Sequence, residues 1–79
     1  MDRSSFPLAA ERLGIRATAY SLDGGLPDER YVLSIEGVGW AVYYSERGLK
    51  RGVVHFDTER EACDELLMRL ADDPTTRSR

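Results

Sequence analysis

Hydrophobic residues recur at helical spacing near both ends of the chain. A short helix is predicted over Phe6–Leu13, where apolar side chains share one face and Gly14 supplies a helix end. A longer helix running to Asp72 is predicted after Thr58-Glu59-Arg60-Glu61, which matches a capping box. Its apolar face comprises Ala62, Cys63, Leu66, Leu67, Leu70 and Ala71. Each helix therefore has one face to bury.

Between these helices the hydrophobic period shortens to two residues, which is typical of strands. Three strands are predicted, at Tyr31–Glu36, Trp40–Ser45 and Gly52–Phe56. The two connections contain glycine and are short enough for antiparallel hairpins, the second being the charged segment Glu46–Arg51. The predicted fold class is α+β, a three-stranded antiparallel meander with an N-terminal and a C-terminal helix, in the order α-β-β-β-α.

The remaining segments are rich in turn residues and charge. Residues 18–30 combine two glycines, a proline and three carboxylates, so a long loop is predicted, and long ordered loops often carry function. Residues 74–79 offer no hydrophobic side chain to dock, and Pro74 ends the preceding helix. We therefore expect one small domain over 1–79, with an ordered core at about 5–73 and a flexible tail at 74–79.

Composition narrows the class of protein. The 79 residues carry 11 basic and 14 acidic side chains, a net charge of −3, and the hydrophobic fraction of 42% suits a globular chain. No apolar run approaches the roughly 18 residues of a membrane span, and the N-terminus lacks the pattern of a signal peptide. One cysteine excludes an internal disulfide and a thiolate-rich metal site. A soluble, cytoplasmic domain is expected.

Candidate chemistry is sparse. His55 and Cys63 could approach each other, but Cys63 lies on the apolar helix face, where a buried thiol is inert. Asp23, Asp28 and Glu29 could hold a hard cation, yet their spacing matches no calcium loop. We therefore expect no enzyme activity, no metal and no cofactor, and keep a small enzyme subunit or regulator that uses His55 as the weakest alternative.

Charge argues against nucleic acid as a partner. The order α-β-β-β-α is shared with double-stranded-RNA-binding domains, which need lysines at the start of the last helix. Here residues 57–73 carry seven acids against two arginines, and residues 23–36 carry four acids against one arginine. Only the segment 46–51 is basic, with a net charge of +2. Since phosphate contacts drive such binding, an acidic surface favours a basic protein as the partner instead.

The aromatic residues suggest where a partner would bind. Tyr43 and Tyr44 are consecutive on a strand and must point to opposite faces of the sheet. If one helix covers one face, the other face is open, and exposed tryptophan and tyrosine are frequent interface residues. Two arrangements are open at this point: either Trp40 or Tyr43 lies on an exposed face, or the first helix covers that face and makes it core.

Two runs of sequence are distinctive: Tyr43-Tyr44-Ser45-Glu46-Arg47-Gly48, and Phe56-Asp57-Thr58-Glu59 followed by Glu61-Ala62-Cys63. Over roughly residues 20–70 the chain resembles small bacterial immunity proteins of polymorphic toxin systems. The resemblance implies a non-enzymatic cytoplasmic antidote that binds one secreted toxin domain and blocks its active site. An acidic antidote would fit a basic nuclease toxin.

Together these observations predict a protein-binding module that engages a protein partner, with no nucleic acid and no membrane as ligand. The predicted partner-binding residues are Asp23, Asp28, Glu29, Trp40, Tyr43, Glu46 and Arg47. The acids would steer association, and the aromatic residues would form the contact. The alternative is a small homodimeric structural or regulatory protein that self-associates through its open sheet face or an unpaired edge strand.

Overall fold

The computed structural model describes residues 1–78. Its α-helices are α1 (Phe6–Arg12) and α2 (Glu59–Asp72), and its strands are β1 (Tyr20–Ser21), β2 (Arg30–Glu36), β3 (Gly39–Glu46) and β4 (Leu49–Phe56). Two single 3₁₀ turns, Ala17–Ala19 and Pro74–Thr76, precede β1 and follow α2. The predicted α+β class is confirmed. Within residues 1–78, neither α-helix reaches the length and hydropathy that crossing a membrane requires.

The sheet has four strands rather than the three expected, in the order β1-β2-β3-β4. The β2–β3 and β3–β4 pairs are antiparallel, as predicted, but Tyr20 and Ser21 pair in parallel with Tyr31 and Val32. The expectation of a purely antiparallel sheet, with residues 18–30 entirely loop, is therefore wrong. A strand of two residues shows no alternation of hydrophobic and polar positions, so periodicity could not reveal it.

The hairpin between β3 and β4 is tighter than the predicted turn over Glu46–Arg51. Its two central residues, Arg47 and Gly48, have φ of 52° and 75°, as a two-residue hairpin of the primed type requires. Strand β4 continues from Leu49 and contains a bulge, where the register shifts opposite Tyr43 and Gly52 adopts φ of 63°. The bulge gives β4 one more residue than β3 over this span.

The main core lies between α2 and one face of the sheet. Leu33 and Val42 of the sheet and Leu66 and Leu70 of α2 are completely buried there. At the start of α2 the Thr58 hydroxyl oxygen accepts the Glu61 backbone N–H at 3.2 Å. The Glu61 carboxylate accepts from the Thr58 hydroxyl at 2.9 Å, instead of from the backbone N–H of a standard capping box.

A loop, and not α1, covers the second face of the sheet. Residues Val32, Ala41 and Tyr43 form a small buried cluster on this face, each with no exposed surface. The Tyr43 hydroxyl donates to the Gly25 carbonyl at 2.6 Å, which holds the segment 22–29 across the cluster. Helix α1 packs beside α2, where Ala10 joins the main core. The expectation that the first helix could cover this face is therefore wrong, and the face stays open only at β4, where His55 is exposed.

The C-terminal segment docks on the domain, in contrast to the flexible tail expected at 74–79. Thr76 is 3% exposed, its carbonyl accepts the Arg16 N–H at 2.9 Å, and its hydroxyl donates to the Leu70 carbonyl at 2.7 Å. Arg77 forms an isolated bridge with Ile15. The prediction looked for a hydrophobic side chain, whereas these contacts are hydrogen bonds of main-chain groups and of the Thr76 hydroxyl. Residue 79 lies outside the described residues.

Candidate functional site: an acidic cavity at one end of the sheet

Carboxylates from three segments meet at one end of the sheet, which we call the acidic end and define by Asp28, Glu29, Glu46 and Asp73. Asp28 and Glu29 precede β2, Glu46 ends β3, and Asp73 follows α2. Tyr44 lies among them. Burial and then the negative charges of these carboxylates raise the pKa of the Tyr44 hydroxyl above its ordinary value. Carboxylates thus surround one tyrosine, although the Glu46 carboxylate is paired with the Arg51 guanidinium at 2.7 Å.

The loop before β2 is fixed to the β3–β4 hairpin at this end. The Arg47 backbone N–H donates to the Asp28 Oδ1 at 3.2 Å. Within residues 1–78, two non-glycine residues have positive φ, Glu29 at 54° and Arg47 at 52°. Both lie in these two turns. A side chain at positive φ is unusual and costs free energy, so the surrounding contacts must hold both turns.

A cavity of about 290 Å³ opens between these segments. Its walls include the rings of Tyr31 and Tyr44, whose centroids lie 4.8 Å apart at an interplanar angle of 61°. The polar lining comprises Arg16, Glu29, Asp73, Thr75 and Thr76. The cavity therefore combines aromatic rings with carboxylate oxygens, the two kinds of group that accept a guanidinium or ammonium cation.

Hydrogen bonds fix the protonation states in the cavity. The Tyr31 hydroxyl donates to the Asp73 Oδ2 at 2.9 Å, and Asp73 also accepts from the backbone N–H and the hydroxyl of Thr75 at 3.0 and 2.7 Å. The Thr75 bonds and the Tyr31 bond lower the pKa of Asp73. Burial, followed by the hydrogen bond to Asp73, raises the pKa of Tyr31 to about 12. At neutral pH the carboxylate is charged and the phenol is neutral.

The structure places the charged residues of the predicted partner-binding set at two separate positions. The structure brings together Asp28, Glu29, Glu46 and Arg47 at the acidic end. Asp23 lies apart, near Asp2 and Glu59 in a shallow depression below the start of α2.

The two aromatic residues of the set are not free on a surface. Trp40 is half-buried on the α2 face, with the Arg3 guanidinium 5.3 Å from its ring centroid. Tyr43 is completely buried beneath the 22–29 loop, so its expected role as an exposed contact residue is wrong. The reason is the loop hydrogen bond to Gly25, which the sequence pattern does not show.

Sequence reasoning missed Tyr31, Tyr44, Asp73 and Arg16 as residues of the cavity. Alternation along the predicted strand placed Tyr44 on the face opposite Tyr43, and the register pairs Tyr31 with Tyr44 directly across β2 and β3. Asp73 and Arg16 could not be found in this way, because neither lies on a strand: Asp73 follows α2, and Arg16 precedes the 3₁₀ turn before β1.

The residues considered for catalysis are separated. His55 pairs with Ala41 and so lies on the second face of the sheet, whereas Cys63 is buried in the core beneath α2. Burial, then the charge of Glu59, raises the pKa of the Cys63 thiol to about 11, which keeps it protonated. Within residues 1–78 no three side chains of His, Cys, Asp or Glu are grouped to hold a metal ion.

Comparisons with protein-family models, with curated proteins and with solved structures give no significant match to this chain.

Proposed function

We propose that this protein is a non-enzymatic binding module of the immunity type, which neutralises a secreted toxin by binding its basic domain in the cytoplasm. The observation that carries the proposal is the acidic end, where carboxylates from three segments surround a cavity with two tyrosine rings. A lysine or arginine of the partner would enter this cavity, with its charge against Glu29 and Asp73 and its stem against the rings.

The charges at the acidic end are only partly satisfied within the chain. The ion pairs among residues 1–78 use Glu36, Glu46, Glu59 and Glu65 as their acidic members. Asp28 and Glu29 are exposed and belong to none of these pairs. Such carboxylates attract a basic partner electrostatically, which favours fast and selective association. The range of this attraction decreases as the salt concentration rises.

The proposal predicts an adjacent gene for a secreted toxin, and co-expression with the C-terminal domain of such a toxin tests it. The C-terminal domain of that protein would be produced in a bacterial host with or without the present chain. We expect growth to be restored by the wild-type chain and by Asp64→Lys, which changes a carboxylate on the exposed side of α2. Asp28→Lys with Glu29→Lys should restore growth less well. Growth arrest in the presence of folded wild-type chain, with no complex on purification, would contradict the proposal.

A second candidate function, a self-associating structural or regulatory protein, is favoured by a different observation. The second face of the sheet is covered and offers no dimer surface at Tyr43, but strand β4 is exposed along nearly its whole length. Self-association through that exposed edge would not depend on a toxin partner.

A further inference from the structure

Strand β4 is a long edge strand of the sheet. Every residue from Leu49 to His55 is exposed, and Phe56 is half-buried. Hydrophobic side chains are exposed on both faces of this strand, Val53 at 40% and Val54 at 41%. The outer main-chain groups of an edge strand are free to pair with another strand. The opposite edge, β1, is only two residues long, so β4 is the edge at which a sheet could be extended.

The charges along β4 make it complementary to itself in the antiparallel sense. Lys50 and Arg51 lie at its start, the two valines at its middle, and Asp57 directly after its end. Lys50 pairs with Glu36 and Arg51 with Glu46 within the chain, yet the segment 46–51 keeps a net charge of +2. In an antiparallel pair of identical strands, the basic start of one strand lies towards the acidic residue that follows the other strand. A parallel pair would place like charges together. Antiparallel pairing also suits the two-fold symmetry that most small homodimers have.

The bulge limits the register. The register shift and the positive φ of Gly52 interrupt β4 between Arg51 and Val54, whereas Val54–Phe56 pairs regularly with β3. Val54 is the exposed hydrophobic residue of this regular segment. Two-fold symmetry requires a residue to lie opposite its own copy. With Val54 at the axis, Val53 lies opposite His55 of the second copy, and the basic start of each strand lies towards the acidic residues that follow the strand of the other copy.

We propose that a second copy of this chain pairs with β4 in this antiparallel register, so that the two sheets join into one continuous sheet with Val54 at the two-fold axis. The positive charges of Lys50 and Arg51 disfavour other strand pairings. The proposal stands apart from toxin binding, because the acidic end and the β4 edge use different residues.

Disulfide trapping tests the register directly. Directly opposed residues of paired strands have Cβ atoms about 4.5–5.5 Å apart, near the range that a disulfide spans. Val54→Cys should therefore form a covalent dimer on mild oxidation. Leu49→Cys is the matched control, since it is on the same strand and 56% exposed. Its two copies would lie about 33 Å apart in this register. Cys63 is completely buried and does not compete.

Sedimentation of the wild-type chain completes the test. We expect a dimer at micromolar concentration and cross-linking of Val54→Cys at least tenfold faster than of Leu49→Cys. A monomeric wild type at high micromolar concentration would overturn the proposal. A dimer in which Leu49→Cys cross-links as fast as Val54→Cys would overturn the register and point to another contact surface.

Discussion

The Tyr43 hydroxyl donates a hydrogen bond of 2.6 Å to the Gly25 carbonyl, and this contact explains why the second face of the sheet is not open around Tyr43. Tyr43 lies at the centre of β3, while Gly25 lies in the loop between β1 and β2. The same loop continues into Asp28 and Glu29. The contact that buries Tyr43 therefore also helps to place two carboxylates at the acidic end.

Tyr43→Phe should lower the free energy of unfolding by about 1 kcal/mol, the usual contribution of a hydrogen bond to a partly buried carbonyl. The ring still fills the space, so the change isolates the bond. Tyr44→Phe, at the adjacent position on the other face, keeps the Gly25 contact and is the control. Urea unfolding of the three proteins measures the difference. Equal stability of Tyr43→Phe and wild type would show that the loop is held by other contacts.

The free energy of unfolding should fall in acid, because the folded chain favours the ionised form of Asp2 over its protonated form. It accepts the backbone N–H groups of Ser4 and Ser5, each at 3.0 Å, and the Ser4 hydroxyl bond contributes most to lowering its pKa from 3.8 to about 2. A lowered pKa stabilises the fold at pH values above the ordinary pKa of the group. This stabilisation is lost as pH falls from about 4 to 2. Thermal unfolding of Asp2→Ala should show a smaller fall over this range; an identical fall would contradict the assignment.

Tyr31 should ionise unusually late in alkali. Its pKa of about 12 exceeds the ordinary value of 10.0 because of burial and the hydrogen bond to Asp73. A raised pKa favours the neutral phenol in the fold, so stability is complete below pH 10 and falls towards pH 12. An absorbance titration of tyrosinate should lose its latest component in Tyr31→Phe, and that component should shift to lower pH in Asp73→Asn. An unchanged titration in both variants would contradict the Tyr31–Asp73 contact.

The Cys63 thiol should be almost unreactive in the folded protein at neutral pH. It is completely buried, and burial raises its pKa to about 11, so both access and the thiolate fraction are low. We expect an aromatic disulfide reagent to react roughly a hundredfold more slowly with the native than with the urea-unfolded chain. Immediate labelling of the native chain would show that α2 opens readily or packs differently.

The sequence predicted features with a regular spacing and missed those made by single main-chain contacts. The start of α2 at Thr58 and the β2–β3–β4 meander follow from capping and alternation, and both are confirmed. The two-residue strand at Tyr20, the docking of Thr76 and the loop contact to Gly25 have no such pattern, because each depends on a few hydrogen bonds to main-chain groups of another segment.

The same distinction applies to the candidate site. Charge alone predicted that Asp28, Glu29, Glu46 and Arg47 matter, and the fold places them together. Charge did not predict the cavity beside them, because Asp73 joins the cavity lining from the end of α2. Whether these residues bind a partner stays a prediction.

The salt dependence of the association rate tests the central claim most directly. Asp28→Lys with Glu29→Lys would be compared with Glu11→Lys with Asp64→Lys, an equal charge change on exposed positions of the two helices. Rates would be measured by stopped-flow mixing with the purified toxin domain over a range of salt. The account predicts that the first variant associates more slowly and with a flatter salt dependence, while the second stays close to wild type. Equal effects of the two variants, or none from the first, would contradict an acidic end that steers a basic partner.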